Sequence, residues 1–260
     1  MATLAWCAGA GAAAHVLVDT LPDHLDITGA DGHHLQRVRR LGPGELVTAA
    51  DGTGGWRPYR VAGASPGVLG LVADGPACLE PRLTPALVLA CALTKGERPE
   101  AVVRHATELG VDAIWWVVAA RSVVRWEGPR ADGALERLRR VAREAALQCR
   151  RARLPAVEAP GRLADLAGRA GLVVADRDGP NAAALAAPPE GQWILVVGPE
   201  GGLDPAELAA LGDPPRLGLG PHVLRTETAA LAAPAALAGR RGVPSESTEN
   251  PLTTRPDHPA

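Results

Sequence analysis

Trp193-Ile-Leu-Val-Val-Gly-Pro-Glu-Gly-Gly202 and Leu217-Gly-Leu-Gly-Pro-His-Val-Leu-Arg-Thr-Glu-Thr228 are the two stretches that decide how this chain folds. Each is a short apolar run leading into a Gly/Pro turn and then into a helical segment, the pattern of a buried strand meeting a helix. The first is closely specified: Asp204 fits an N-cap, Pro205 the first helical position, and Glu207 the partner in a capping box. Leu203 and Leu208 are placed for a hydrophobic staple. In the second, Thr226 is the expected N-cap and Glu227 sits in the first turn, while Pro234 removes one backbone hydrogen bond from the helix that follows. Unpaired N–H groups at such helix starts attract polar or charged ligands. Two of these junctions so close in the chain point to one composite pocket.

Outward from these loops, the C-terminal part of the chain alternates strands and helices. Leu87 to Leu93, Ala113 to Val118 and Leu172 to Ala175 are predicted strands. The polar turn Thr94-Lys-Gly-Glu-Arg98 precedes a helix from Pro99 to Gly110, and an arginine-rich helix over about 132–150 carries Leu135, Leu138, Ala142, Ala145 and Cys149 on its apolar stripe. This alternation predicts an α/β domain with a mostly parallel sheet over 86–240. Upstream, residues 15–75 read as a small β-barrel: short strands at Val16–Val18, Leu46–Ala50, Trp56–Val61 and Val68–Val72, with one helix at His33–Arg40. Residues 76–85 read as a linker, 1–14 as a loosely ordered N-terminal extension and 241–260 as a disordered tail.

Composition excludes more than it assigns. The 260 residues include no Phe, so Leu, Val and Ala must build the core. Lys95 is the single lysine among 27 basic residues; the rest are arginines, which keep their charge and grip phosphate in bidentate fashion. The net charge of −2 hides two basic patches, Arg37, Arg39 and Arg40 beside His33 and His34, and the run from Arg137 to Arg153. Cys7, Cys78, Cys91 and Cys149 form no CxxC pair, so neither a metal site nor a disulfide framework is expected. With no signal peptide and no apolar run of membrane-spanning length, the expected location is cytoplasmic. Neither glycine loop is a P-loop, and the dinucleotide fingerprint is missing from the first strand–helix unit, which leaves an oxidoreductase poorly supported.

A set of ordered motifs narrows the reading. Lys95-Gly-Glu-Arg98, Ala106-Thr-Glu-Leu-Gly110, Arg121-Ser122, Ala142-Arg-Glu-Ala-Ala146 with Gln148, Gly198-Pro-Glu-Gly-Gly202 and Leu224-Arg-Thr-Glu-Thr-Ala229 closely resemble the bacterial 16S rRNA uridine-N3 methyltransferase family. That family belongs to the SPOUT, or trefoil-knot, methyltransferases. The resemblance covers roughly 15–240, because His33-His-Leu-Gln-Arg-Val38 and Leu41-Gly-Pro-Gly-Glu45 look like the family's PUA-like barrel. Departures are His222 where an arginine is usual, Leu147 where a polar residue is usual, and Cys149-Arg150 in place of a small pair.

The resemblance implies a knotted C-terminal domain, a homodimer, and S-adenosyl-L-methionine held between the knot loops. Carried over, the cofactor-binding residues are Val197, Gly198, Pro199, Glu200, Gly201, Gly202, Leu217, Leu219, Gly220, Val223 and Leu224. Arg225 is the expected positioning and charge-stabilising group; Glu227 or Glu200 is the candidate proton acceptor, the alternative role of either being to complement a helix N-terminus. Arg37, Arg39, Arg40, Lys95, Arg98, Arg121, Arg143, Arg150 and Arg153 become candidate contacts to 16S rRNA in the small ribosomal subunit. Other readings share the fold: a methyltransferase with another rRNA or tRNA target, or a catalytically silent RNA-binding assembly factor.

Overall fold

The computed structural model describes residues 3–243 apart from 97, 125, 127, 189 and 190. Its N-terminal unit contains β1 (Thr3–Leu4), β2 (Ala14–Leu17), β3 (His24–Ile27), α1 (Gly29–His33), β4 (Leu46–Ala50), β5 (Gly55–Ser65), β6 (Val68–Ala73) and β7 (Cys78–Leu79). These strands form one sheet in the order β1-β7-β5-β4-β2, with β6 pairing to β5 and β3 pairing to β6. The sheet wraps a core of Val16, Ile27, Leu35, Val47, Tyr59, Val61, Leu69 and Leu71. The helix expected at His33–Arg40 starts earlier: α1 runs into a wider π-type turn at His34–Val38.

Two stretches read as loose are in fact built in. Thr3–Leu4 pairs in parallel with Cys78–Leu79, so the N-terminal extension and the linker each lend a strand to the barrel. Cys7 is fully buried against Leu17, Ala50, Trp56 and Ala152. Alanine- and glycine-rich text hid these strands because neither alternates visibly and each is only two residues long.

The second unit comprises β8 (Ala86–Ala92), α2 (Arg98–Glu108), β9 (Ala113–Val118), α3 (Pro129–Cys149), β10 (Ala156–Arg162), β11 (Leu172–Ala175), β12 (Gln192–Val197), α4 (Pro205–Ala210), β13 (Arg216–Leu217) and α5 (Thr226–Ala238). All pairings of its six-stranded sheet are parallel, in the order β10-β9-β8-β12-β11-β13. Strand β10 was not anticipated, since Ala156-Val-Glu-Ala-Pro-Gly-Arg162 carries a proline and a glycine and sits on the sheet edge, where both are tolerated.

Both sheet faces are buried, which explains the continuous apolar strands. Leu87, Leu89 and Cys91 of β8 join Trp116 of β9 and Leu195 of β12 under α2, α3 and α5. The alternate residues Val88, Ala90, Trp115, Val117, Ile194 and Val196 face the other way, against Leu163, Leu166 and Leu211. The rows of Leu135, Leu138, Val141 and Ala142 on α3 and of Val102, Val103 and Ala106 on α2 enter the first of these cores, as the helical spacing requires.

The course of the chain after β13 sets the topology. Strand β13 lies outside β11, at the sheet edge, yet α5 returns to pack on β8 and β12. The crossover from β11 to β12 covers the same face: Leu185 packs with Ala230, Ala233 and Leu237 of α5 in one core, and Arg240 donates to the carbonyls of Ala182 and Leu185. The C-terminal segment thus passes through the loop that this crossover closes, giving a trefoil knot, a departure from the unknotted norm.

The crossing is tight. Gly218 N–H donates to the Pro180 carbonyl at 2.7 Å, and a Cβ on Gly218 would lie 2.1 Å from the Gly179 oxygen. Past the knot, Arg241 is buried and donates to the carbonyls of Pro85 and Gly110 at 2.8 Å each, and pairs with Asp112; Thr84 and Gly242 exchange backbone hydrogen bonds. Residues 241 and 242 of the expected tail are therefore fastened to the domain, and the stretch from 244 lies outside the described residues.

Candidate functional site

The two glycine loops meet, with a third junction after β11, around a cavity of about 670 Å³ at the carboxyl ends of β11, β12 and β13. This is the rim where parallel α/β sheets hold ligands. Val197, Gly198, Pro199, Glu200, Gly201, Gly202, Leu219, Gly220, Val223 and Leu224 all line it. Leu217 does not: it is fully buried in the core beneath.

The first loop is fastened from both sides. Asp204 accepts from Ala206 N–H at 2.9 Å, and Glu207 accepts from Asp204 N–H at 2.9 Å, completing the expected capping box. The other oxygen of Glu207 accepts from Ala120 N–H at 2.7 Å. Arg121 donates to the Gly201 carbonyl at 2.8 Å and reaches Asp204 at 3.3 Å. Its guanidinium therefore shapes the pocket wall. Gly202 sits at φ +72°, a conformation that favours glycine, and a Cβ on Gly201 would touch Arg121 at 3.4 Å.

The second loop is tied to the first through Thr226, whose hydroxyl donates to the Gly198 carbonyl at 3.2 Å. Thr226 is the first residue of α5 and Arg225 takes the cap position, one residue earlier than expected, without a side-chain cap. Asp176 N–H donates to the Leu217 carbonyl at 3.0 Å, and Arg216 pairs with Asp176 at 3.0 Å. Asp176, Arg177 and Asp178 form the wall that the sequence reading missed; the signal was there, because Asp176-Arg-Asp-Gly179 directly follows a predicted strand.

The charged groups cluster at the rim. Arg98, at the start of α2, lies 3.7 Å from Glu200 and 3.4 Å from Glu227, and so bridges the two loops. Glu227 is four-fifths buried, and its Oε2 has no hydrogen-bond partner among the described residues. Arg225 is exposed and lies outside the cavity lining. His222 and Val223 are exposed on the same loop.

The remaining arginines fall into two groups. Arg37, Arg39 and Arg40 are exposed on the barrel, and Lys95 is exposed after β8. Arg143 and Arg153 instead seal the seam between the two units. Arg143 donates to the Leu17 carbonyl at 2.8 Å; Arg153 donates to the Glu80 carbonyl at 2.8 and 3.1 Å and also to that of Thr53. Arg150, half-buried, ends α3 in a left-handed conformation at φ +58°. At the same seam Glu80 accepts from Ala152 N–H at 3.1 Å, and burial pushes its carboxyl above the usual range. His15, buried beside Thr48 at 2.9 Å, is held down to about 4 by desolvation.

The pocket fits S-adenosyl-L-methionine in size and in character. Clefts for small organic ligands span about 300–1,000 Å³. Val174, Val197, Leu219, Leu224 and Ala229 offer apolar walls, and the glycine backbone leaves room for close approach. Among the described residues, no three His, Cys, Asp or Glu side chains gather as a metal site, and no helix is long and apolar enough to cross a membrane.

Comparison with known proteins agrees with this architecture. An RNA methyltransferase domain model matches residues 81–238, and an RNA methyltransferase PUA domain model matches 27–67. The chain is 41% identical over 231 residues to ribosomal RNA small subunit methyltransferase E of Mycobacterium bovis, covering 83% of this chain and 87% of the relative. It is 33% identical over 234 residues to the Bacillus subtilis protein of the same name, covering 82% and 89%. The crystal structure of the Neisseria gonorrhoeae ribosomal RNA small subunit methyltransferase E bound to S-adenosyl methionine superposes with a TM-score of 0.73 at 26% identity, over 86% of this chain and 96% of that one. A knotted parallel sheet, a PUA barrel and extended likeness at this level make the chain a member of the ribosomal RNA small subunit methyltransferase E family.

Proposed function

We propose that this chain uses S-adenosyl-L-methionine to methylate uridine N3 in the 16S rRNA of the small ribosomal subunit, in the cytoplasm and as a homodimer. The observation that carries the reading is the knot pocket, with Arg98, Glu200 and Glu227 gathered at its rim. When bound there, S-adenosyl-L-methionine supplies an electrophilic methyl group on a sulfonium. The chain's own task is to bring the uracil edge in line behind that methyl and to take the N3 proton.

Glu227 is the better placed of the two carboxylates for the proton. Its buried Oε2 is an acceptor with no donor among the described residues, whereas Glu200 is half exposed. Arg98 holds Glu227 in place and keeps countercharge beside it. Arg225, exposed at the start of α5, positions the uridine from outside the cavity and offsets charge growing on a uracil oxygen as the proton leaves. Exposed Val223, which lines the pocket, is apolar surface that a second copy would cover.

Labelled-methyl transfer to small subunits from a strain lacking the gene, followed by nucleoside analysis, tests the reading. 3-Methyluridine is the expected product; tight RNA binding without transfer would identify a silent binder instead. Arg225→Ala should reduce turnover about 100-fold with cofactor affinity within twofold, and near-normal turnover would remove Arg225 from the mechanism.

A further inference from the structure

Arg98 has a second side. Away from Glu200 and Glu227 it borders another hollow, of about 840 Å³, between the turn after β8, the first two turns of α2 and the middle of α3. Lys95, Arg98, Glu100, Arg104, Arg137 and Val141 line this hollow. Its shape has a local cause: Gly96 turns the chain at φ +68°, and Ala101 contributes no bulk. Among the described residues, four cations line it against one carboxylate.

The cations are not equivalent. Arg98 is paired with Glu200 and Glu227, and Arg137 with Glu100. Lys95 and Arg104 are exposed and, among the described residues, have no ion-pair partner. Glu100 is largely buried at the start of α2, and among the described residues its Oε2 has no hydrogen-bond partner. Two free cations beside a buried acceptor, next to the rim that would receive the target base, match a unit carrying both a phosphate and a hydroxyl donor.

We propose that this hollow is a ribonucleotide subsite. It seats the nucleotide adjacent to the target uridine, with Lys95 and Arg104 on its phosphate and Glu100 accepting from its ribose 2′-hydroxyl. The subsite rests on the rRNA-methyltransferase reading above. Arg98, which lines this hollow and pairs with Glu200 and Glu227, then couples seating of the neighbouring nucleotide to the carboxylates at the methyl site.

The test uses the full chain and its Lys95→Ala/Arg104→Ala double variant, both substitutions lying on exposed side chains. Affinity for a small-subunit rRNA transcript is measured across a salt series by filter binding. Calorimetry with S-adenosyl-L-methionine and sedimentation are run alongside. The double variant should bind rRNA at least about tenfold more weakly, with the log–log salt slope reduced by about 1.5, while cofactor affinity stays unchanged. An unchanged slope overturns the subsite, as does loss of self-association in the variant, which would show that a second copy fills the hollow.

A short oligouridylate should bind the wild-type chain more tightly than its 2′-deoxy counterpart, and Glu100→Ala should abolish that preference; a preference that survives removes Glu100 from the subsite. Failure of the functional reading is separable. A wild-type chain that binds rRNA but yields no methylated uridine sinks the activity, and the salt slope still decides the subsite.

Discussion

The knot crossing and the seam between the two units solve the same problem, holding distant chain segments together, by opposite means. At the crossing, side chains are removed: Gly179 and Gly218 let two backbones touch, and Gly218 N–H bonds directly to Pro180. At the seam, long side chains are added: Arg143 and Arg153 reach across to carbonyls of Leu17, Thr53 and Glu80. The first arrangement has no slack, because backbone cannot rotate away. The second has several partly redundant bonds and can lose one.

That difference ranks the expected effects of substitution. Gly218→Ala places a Cβ where the Gly179 oxygen already lies, so it should cost about 3 kcal/mol or more and remove S-adenosyl-L-methionine binding, both readable by thermal melting and calorimetry. A variant that melts and binds normally would show the crossing to be looser than its geometry. Arg153→Ala deletes three guanidinium–carbonyl bonds worth about 1 kcal/mol each, yet should leave the pocket intact. Calorimetric unfolding should then split into two transitions while cofactor affinity holds.

The seam is also where stability should respond to pH. His15 is depressed from 6.5 to about 4, so its contribution is complete above pH 6.5 and is lost as pH falls toward about 4. Two and a half units correspond to about 3 kcal/mol. Glu80 is shifted upward and acts in the opposite sense, its contribution being lost as pH rises above the ordinary carboxylate range, so the net acid loss is smaller. His15→Gln should flatten the dependence of melting temperature on pH between 4 and 6.5; an unaltered slope would place the acid sensitivity elsewhere. The smallest effect is expected at Asp204→Ala, which removes one cap and the Arg121 contact: about 1 kcal/mol, with weakened cofactor binding as the more sensitive readout.

The same contrast separates what the sequence revealed from what it concealed. Strand–helix junctions announce themselves through short-range chemistry, and so Gly198–Gly202 with Asp204, Pro205 and Glu207 could be read directly and appear as expected. The strands β9 and β11 match their predicted bounds for a similar reason, being buried on both faces and therefore continuously apolar. Long-range pairings leave no such local mark. Nothing near Thr3 signals that it pairs with Cys78, and nothing near Arg153 distinguishes a guanidinium aimed at Glu80 from one facing solvent. The knot came from family resemblance, because the Gly179–Gly218 contact joins residues whose individual surroundings look like ordinary turns. The third pocket wall, Asp176 to Asp178, follows an apolar strand as the others do but lacks the glycine pair that marks them.

Threading also fixes a schedule of synthesis. The barrel and strands β8 to β12 can pair before β13 is made, since each has a partner within that stretch. The pocket cannot, because its last wall is the segment that passes through the crossover, and Arg241 anchors that segment back beside Pro85. An enzyme that modifies ribosomal RNA is thus itself finished only after the segment through Arg241 has been made, and a chain broken off before the second glycine loop lacks one wall of the methyl-donor pocket.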